Sequence, residues 1–231
     1  MIKEHIDSYD ETNVRDFIDV FVQEDEKTGI QLMKTIGDLF SAGTETTATA
    51  IRWAVLFFLY HPEVQERMRE EMSDVIVSKY GKPEDLPYCE AVVTEVLRCS
   101  NIVPLSVPHG VVCDTYFRGY FIPKDAIIVP NLDSVLHDPD MFPDPEEFRP
   151  DRFINDQGEF VNNEALIPFS SGRRICLGES LARMELFLFL TCMVQRFQFL
   201  PEVNLPLPSR KGILGITRSP EPYLCRILSI Q

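Results

Sequence analysis

The sequence predicts a mainly α-helical protein with small β-sheets, and three stretches support that prediction. Residues 31–60 carry Leu, Ile, Ala and Phe on most faces of a helix, the composition of a helix buried inside a domain. Residues 179–197 repeat apolar side chains over a wide helical face. Residues 111–130 instead alternate apolar and polar side chains around a glycine, which is typical of a β-hairpin.

Composition limits the possible functions. The chain has 231 residues, enough to bury the core of one domain or two. Its formal net charge of −14 argues against nucleic acid or an anionic membrane surface as a general partner, although acidic residues spread this widely also suit a solvated surface. Its six cysteines show neither Cys-x-x-Cys nor zinc-like spacing, which favours a reducing compartment. No signal peptide is visible and no apolar run reaches the roughly 20 residues of a membrane span, so we expect this chain to be soluble.

The elements of the first half follow from their boundaries. An amphipathic helix is predicted over residues 15–21, and the long helix over residues 31–60 comes next. His61-Pro62 ends that helix and begins another over residues 62–80, because proline is well suited to a first helical turn. This helix is densely charged, which indicates a surface position. Pro87 then begins a helix that contains residues 92–98.

The second half is less regular. Residues 101–109 contain two prolines, and we expect them to be extended because proline disfavours helix in the residue before it. A short helix is predicted over residues 133–136 and a turn over residues 156–159. Residues 212–217 and 223–227 predict a final hairpin with its tip near Ile216.

The centre of the long helix is unusual, because residues 42–47 have the sequence Ala-Gly-Thr-Glu-Thr-Thr. Helix interiors usually avoid glycine and clustered threonine, and a tolerated kink is the ordinary explanation. The Thr46 hydroxyl can also bond to the Ala42 carbonyl one turn earlier, which would open a polar notch in an apolar helix. Glu45 adds an acid beside that alcohol, a pairing suited to delivering protons to a bound dioxygen.

Cys176 stands just before the predicted C-terminal helix. A lone cysteine is usually a packed or free thiol. At a helix N-terminus, however, backbone N–H groups and the helix dipole favour the thiolate. Gly172 and Gly178 would let the backbone turn sharply and approach a flat ligand closely. Phe169 would keep water from the sulfur, and Arg174 could pair with an anionic group. These features predict a buried thiolate bound to a metal in a planar, negatively charged cofactor.

Other charged residues carry little meaning alone. Glu95 and Arg98 lie at i, i+3 on one helix face, where such pairs are usually exposed and add little stability. Arg152 lies in a proline-rich, irregular segment. His109 follows the second proline of its stretch, and a lone histidine is more often a satisfied surface residue than a ligand.

Taken together, these stretches resemble the cytochrome P450 family, the haem-thiolate monooxygenases. Residues 169–178 match Phe-x-x-Gly-x-Arg-x-Cys-x-Gly, the haem-binding loop, at every position. Residues 42–46 match the family's oxygen-activation motif, and residues 95–98 match its Glu-x-x-Arg. Three further phrases look most like the animal microsomal branch, family 2 type: residues 118–124, 134–139 and 181–187. The resemblance covers essentially the whole chain in the right order.

The resemblance implies haem, iron protoporphyrin IX, as cofactor. Cys176 would be the metal ligand, and the implied cofactor-binding residues are Cys176, Arg174, His109, Phe169, Gly172, Gly178, Ala42 and Gly43. Thr46 would bond to the distal oxygen and Glu45 would help to relay protons, so both are the implied catalytic residues. The implied structural triad, which would hold the haem loop in place, is Glu95, Arg98 and Arg152. The implied substrate contacts are Val103, Val107 and Ile216.

The implied reaction inserts one oxygen atom from dioxygen into a small apolar substrate, a fatty acid, steroid or foreign compound. Electrons would come from NADPH–cytochrome P450 reductase. The parent protein would lie on the cytoplasmic face of the endoplasmic reticulum membrane, held by an N-terminal anchor that this sequence lacks.

The resemblance is to the C-terminal half of the family only, so residues 1–231 are expected to be a partial domain without the N-terminal half. Two alternatives stay open. The first is a truncated, non-catalytic chain that binds haem weakly or not at all. The second is a haem-thiolate isomerase or lyase that uses a peroxide, although the acid–alcohol pair Glu45-Thr46 argues against it.

Overall fold

The computed structural model of the chain describes residues 7–24, 29–74 and 85–230. The chain divides into two compact units, and the boundary falls between Glu45 and Thr46. The main helices are α1 (Phe17–Glu24), α2 (Gly29–Tyr60), α3 (Pro62–Asp74), α4 (Pro87–Ser100), α5 (Leu132–Leu136) and α6 (Glu179–Arg196). Short 3₁₀ helices span Pro150–Phe153 and Gly172–Arg174. The part of the helix predicted over residues 62–80 that follows Asp74 lies outside the described residues.

Short antiparallel strands connect these helices. The strands are β1 (His109–Gly110), β2 (Thr115–Phe117), β3 (Tyr120–Ile122), β4 (Ile127–Ile128), β5 (Phe197–Pro201), β6 (Gly212–Leu214), β7 (Arg218–Pro220) and β8 (Cys225–Ser229). They form two-stranded sheets: β1 with β4, β2 with β3, β5 with β8 and β6 with β7. The predicted fold class, mainly α-helical with small β-sheets, is confirmed.

The hydrophobic core forms where the second half of α2 meets α4 and α6. Trp53 and Phe57 are at most 4% exposed, and Phe57 stacks on Phe148 with 4.6 Å between the ring centroids. Fully or almost fully buried aliphatic side chains from the other two helices complete this cluster: Val92, Val96, Leu186 and Leu190. The last three turns of α2 therefore lie inside the main hydrophobic cluster of the described residues, which Val64, Met68 and Phe199 also join.

The first half of α2 departs from the predicted burial. Leu39 and Phe40 are 49% and 72% exposed, whereas Thr49 is 1% exposed. Residues up to Glu45 belong to the smaller compact unit, and the helix enters the main core only after it. An apolar composition therefore predicts burial only where other elements provide a packing surface.

α4 is fixed at both ends. Glu71 of α3 accepts hydrogen bonds from the backbone N–H groups of Tyr88 and Cys89 at 2.8 and 2.9 Å. A carboxylate in this position satisfies amides that the helix cannot pair and interacts favourably with the helix dipole. At the other end Asn101 has a left-handed φ of 36° and bonds back to the Leu97 carbonyl. This fixed helix carries both Glu95 and Arg98.

α3 was predicted to be a surface helix. One of its faces is exposed, but the other face is buried, and the prediction is wrong for that face. Val64 and Met68 are 4% and 0% exposed. Gln65 is fully buried, and its amide nitrogen donates to the carbonyls of Phe58 and Phe199 at 3.1 and 3.0 Å. The dense charges of α3 occupy the remaining positions, and they concealed a short buried stripe.

The C-terminal strands also pair differently from the prediction. β6 pairs with β7 through a tight turn that places Ile216 at the tip, 94% exposed. β8 pairs instead with β5, so residues 212–217 and 223–227 do not form one hairpin. Proline cannot donate a ladder hydrogen bond, and Pro220 and Pro222 end the first pairing before β8 begins.

Two further observations complete the fold. Residues 101–108 are not helical, as predicted, but the Ser106 N–H bonds to the Val103 carbonyl at 3.0 Å and closes a turn within the stretch. Over the residues that the structure describes, no helix has the length and apolarity needed to cross a membrane.

Candidate functional site

The loop before α6 holds Cys176 in a closed turn. The Cys176 N–H donates to the Phe169 carbonyl at 3.0 Å and joins the two ends of the loop. Gly172 has a φ of +74°, a conformation that favours glycine, and its carbonyl accepts from the Ile175 N–H at 3.2 Å. Gly178 has an ordinary φ of −88°, but a Cβ there would lie 3.9 Å from the Cys176 sulfur. Glycine at this position therefore leaves the space beside the sulfur open.

The sulfur is exposed, which differs from the burial that we predicted. Phe169 is half-buried and packs against the hydrophobic core, and the Arg183 guanidinium lies 5.3 Å above its ring. Leu177, next to the cysteine, is 93% exposed. In the described residues the loop therefore presents both Cys176 and Leu177 to solvent at the start of α6.

A cavity of about 390 Å³ borders this loop. It brings together His109 from β1 and Arg174 from the loop, two residues that the sequence analysis selected. Arg173 also lines it, and this residue was not predicted because its only signal in the sequence is its position beside Arg174. Two guanidinium groups and an imidazole along one cavity favour a ligand with anionic groups.

The predicted notch lies in an unbroken helix, since α2 runs through residues 42–47 without interruption. Thr46 is half-buried, and residues 42–45 are exposed. The Thr47 hydroxyl donates to Glu185 Oε2 of α6 at 3.3 Å. This bond ties α2, one residue after Thr46, to the helix that begins after the cysteine loop.

Glu95 bridges two arginines in a buried cluster. Arg98 donates from Nε to Oε2 at 2.7 Å and from Nη2 to Oε1 at 2.9 Å, and Arg152 Nε donates to Oε1 at 3.1 Å. The side chains of Glu95 and Arg98 are 0% exposed, and that of Arg152 is 6% exposed. Paired, charge-assisted bonds of this kind satisfy carboxylate and guanidinium groups that burial has removed from water.

This cluster fastens α4 to the segment after α5. Arg98 also donates to the carbonyls of Leu136 and Pro145 at 2.8 and 2.9 Å, and Arg152 donates to that of Glu147 at 3.1 Å. Burial alone would lower the pKa of Arg98, but its hydrogen bonds to Glu95 and the other acidic groups nearby outweigh that effect, so the pKa is raised. These bonds reach residues 136–147, and support of the cysteine loop by the cluster stays a prediction.

The predicted substrate contacts lie on two neighbouring segments. Val107 is 66% exposed in the stretch after α4, and Ile216 is at the tip of the β6–β7 hairpin. The Arg218 N–H donates to the Ile102 carbonyl at 2.7 Å and joins the hairpin to the stretch that contains Val103. The structure brings the two segments together, and their contact with a substrate stays a prediction.

The ligand set can be tested against the predicted cofactor. No three His, Cys, Asp or Glu side chains form a metal-binding group within the described ranges. Protein zinc sites usually supply three or four ligands, whereas haem iron can be held by one cysteine thiolate because the porphyrin supplies the rest. One accessible thiol, an open glycine turn and nearby cations fit such a cofactor. The fold and the site therefore fit a protein that would hold haem through a cysteine.

Comparison with known proteins identifies the family. The family model described as Cytochrome P450 matches residues 1–226, and the chain belongs to this family, whose cofactor is haem. It is 42% identical to cytochrome P450 2D26 of Rattus norvegicus over 98% of the chain and 48% of that relative. It is 42% identical to cytochrome P450 2E1 of Oryctolagus cuniculus over 98% of the chain and 49% of that relative. It is 45% identical to cytochrome P450 2C25 of Mesocricetus auratus over 85% of the chain and 43% of that relative.

These similarities confirm the resemblance to family 2 cytochromes P450. The chain spans about half the length of the curated relatives it matches. The activity, substrates and partners of a whole protein of this kind are therefore matters of proposal for this chain.

Proposed function

We propose that the chain supplies the cysteine ligand of a monooxygenase site. The reaction at that site would insert one oxygen atom from dioxygen into an apolar substrate. The observation that supports this most is the Cys176 thiol, which stands on a closed glycine turn at the N-terminus of α6. Cys176 lies three residues before the start of α6, and its carbonyl accepts from the Glu179 N–H at 3.4 Å. Haem bound through that sulfur would supply the dioxygen chemistry, since thiolate ligation favours O–O cleavage.

The residues around the loop would orient the cofactor. Arg174 and His109 line one cavity beside the loop and would bond the carboxylates of the porphyrin. The turn at Gly172, with its φ of +74°, would let a flat ligand approach the backbone, and Gly178 would leave room beside the sulfur. Phe169, packed on the core, would fix the loop and exclude water from one side.

α2 would supply proton delivery. The Thr46 hydroxyl would hold a proton for delivery to the dioxygen substrate, and Glu45 would pass protons from solvent, which its exposure permits. Small residues at Ala42 and Gly43 would let a ligand approach the helix, since a Cβ on Gly43 would meet nothing within 4 Å. The bond from Thr47 to Glu185 would hold this part of α2 against α6.

The remaining parts of the proposal come from the relatives. Similarity to family 2 proteins supports a small apolar substrate, such as a fatty acid, steroid or foreign compound. It also supports NADPH–cytochrome P450 reductase as electron donor and the cytoplasmic face of the endoplasmic reticulum membrane as location.

The experiment is reconstitution of the chain with haem, followed by the absorption spectrum of the ferrous carbon monoxide adduct. We expect the thiolate-type band, and we expect Cys176→Ala to abolish it. Cys192→Ala is the matched control, because Cys192 is also exposed and lies on α6. A thiolate-type band that survives in Cys176→Ala, or is lost in Cys192→Ala, would refute the ligand assignment.

A second experiment tests proton delivery in a protein that joins this chain to the N-terminal half of a family 2 relative. Thr46→Ala should divert electrons from product to peroxide, because the hydroxyl that would deliver protons is gone. Thr44→Ala, on the same helix, should leave the ratio of product to peroxide unchanged. Equal ratios in all three proteins would remove the role of Thr46.

One observation favours an alternative to the oxygenase function. In this alternative the chain catalyses no reaction and binds haem weakly or not at all. Phe40 and Leu177 are 72% and 93% exposed, and the thiol of Cys176 is exposed as well. A thiolate that reaches water is open to protonation and oxidation. If the purified chain gave the circular dichroism spectrum of a folded helical protein but took up no haem, that result would support this alternative.

A further inference from the structure

Asp133 of α5 contacts both segments that carry the predicted substrate contacts. Its Oδ1 accepts a hydrogen bond from Asn101 Nδ2 at 2.8 Å and lies 3.4 Å from Arg218 Nη1. His137 Nδ1 lies 3.3 Å from the same oxygen. Asn101 begins the stretch that leads to Val103, and Arg218 begins β7 just after the hairpin tip. One carboxylate oxygen therefore joins three elements of the fold.

Backbone bonds connect the same elements. The Arg218 N–H donates to the Ile102 carbonyl at 2.7 Å, and the Asp133 N–H donates to the Pro104 carbonyl at 3.1 Å. Together with the side-chain bonds, these contacts close a ring through α5, residues 101–104 and β7. Because the ring is closed, movement of one element would lengthen bonds to the other two.

Packing holds Arg218 in a single position within this ring. Its guanidinium lies 5.7 Å above the Trp53 ring, and Trp53 Nε1 donates to the Arg218 carbonyl at 2.9 Å. A Cβ on Gly212 would lie 2.6 Å from Arg218 Cγ and 3.1 Å from Trp53 Cζ2. Glycine at 212 therefore provides the space that the arginine stem occupies.

We propose that Asp133 is a positioning residue for substrate selection. Through Asn101 and Arg218 it sets the spacing between residues 101–107 and the hairpin tip at Ile216. The role in selection rests on the proposed oxygenase function, whereas the mechanical coupling of the two segments depends only on the contacts described above.

The acceptor oxygen matters more here than the negative charge. The side chains of Asp133 and Arg218 are 45% and 24% exposed, and ion pairs that reach water contribute little. Asn101 is 0% exposed, so its amide depends on a partner inside the protein. Asparagine at position 133 keeps an acceptor oxygen, and alanine does not.

The test measures hydrogen exchange in the full chain by mass spectrometry. In Asp133→Ala, we expect exchange at the Arg218 amide and in residues 101–106 to rise together by about fivefold, since one hydrogen bond is worth about 1 kcal/mol. Asp133→Asn should stay close to the unmodified chain. The matched control is Asp138→Ala, because Asp138 accepts from the Asp140 N–H at 2.9 Å and not from either segment.

Trp53 gives a second signal, since it is the one tryptophan in the sequence. Its emission should move to longer wavelength in Asp133→Ala and not in Asp133→Asn. A rise in exchange confined to one segment, or no rise in either, would overturn the coupling. An effect in Asp133→Asn as large as that in Asp133→Ala would overturn the role of the acceptor oxygen.

Selection is tested with the haem-loaded chain and two azole probes. Clotrimazole binds haem iron and fills the space above it, whereas imidazole binds the iron alone. Asp133→Ala should weaken clotrimazole binding by about fivefold, leave imidazole binding unchanged and preserve the ferrous carbon monoxide band. Equal effects on both probes, or none, would overturn the selection role. A missing band in the unmodified chain would refute the proposed function and the selection role with it, while the exchange result would still decide the coupling.

Discussion

Glu95→Gln is the sharpest test of what holds the irregular part of this fold. The glutamate accepts from Arg98 at Oε2, and from Arg98, Arg152 and the Arg149 backbone N–H at Oε1. Glutamine has nearly the same shape and keeps one acceptor oxygen. It removes the negative charge, however, and it replaces the other oxygen with an amide nitrogen that faces Arg98 Nε across 2.7 Å. Two donors would then point at each other inside the protein.

The expected cost follows from burial. Breaking a buried ion pair by removing one partner typically costs about 3–5 kcal/mol, because the other charge stays buried without compensation. With the side chains of Glu95 and Arg98 both 0% exposed, solvent cannot screen the loss. We therefore expect the free energy of unfolding to fall by about 3–5 kcal/mol, which corresponds to about 10 °C in melting temperature for a chain of this size.

Urea denaturation followed by Trp53 fluorescence measures this change, because Trp53 lies in the same compact unit as the cluster. Glu147→Gln is the matched control. Its carboxylate pairs with Arg149 at 3.3 Å in an exposed position, so its loss should cost less than about 1 kcal/mol. If Glu95→Gln cost no more than Glu147→Gln, the buried cluster would not be what fastens α4 to the following segment.

Further expectations concern the same core. Arg152→Ala should lower the free energy of unfolding by about 2 kcal/mol and weaken haem retention. The loss is limited because the pair between Glu95 and Arg98 remains. Urea denaturation and absorption spectra measure the two effects, and a variant that is as stable and as fully loaded with haem as the unmodified chain would contradict this prediction. Burial raises the pKa of Cys99, so iodoacetamide at about pH 8 should alkylate exposed Cys113 in the native chain and Cys99 only after unfolding, as peptide mass spectrometry would show. Burial also raises the pKa of Glu90 in the folded chain. The folded chain therefore loses stability as the pH rises from the pKa of the unfolded chain, about 4.3, through the higher pKa of the folded chain. Glu90→Gln should therefore gain stability over the unmodified chain at neutral pH and not below about pH 4, and a difference that is the same at both pH values in urea titrations would refute this.

Local patterns were sufficient to predict the main helices and the cysteine loop. α2 and α6 were predicted because their apolar residues recur at helical spacing over many turns. The turn at Gly172 and the start of α6 after Gly178 follow from glycine and helix-start rules that act within a few residues. The family assignment used the same short-range information.

Contacts between distant parts of the chain were not predictable in this way. The ladder between β5 and β8 joins residues that are 24 to 32 positions apart, from Pro201 with Cys225 to Phe197 with Ser229, and nothing in either strand specifies the other. The buried face of α3 was hidden because its charges dominate the composition. Glu95 and Arg98 have the spacing of an exposed helix pair, and it is the later segment packed over them, residues 136–152, that buries the pair.

Side-chain bonds from distant residues allow a stretch with little regular structure to form the wall of a cavity. Between α4 and α6, the described chain contains short strands, one helix of five residues and two 3₁₀ turns, so backbone ladders alone cannot fix its path. Side chains from α4 and from the residue that follows it do so at two points: Arg98 bonds to the Leu136 carbonyl, and Asn101 bonds to Asp133. The cavity residues Asn131, Leu132 and Val135 lie at or beside these two anchors. Because α4 is itself fixed at both ends, loss of either anchor should move the cavity wall and leave α4 in place. The buried cluster around Glu95 and the side chain of Asp133 would therefore position the same cavity wall from two different points.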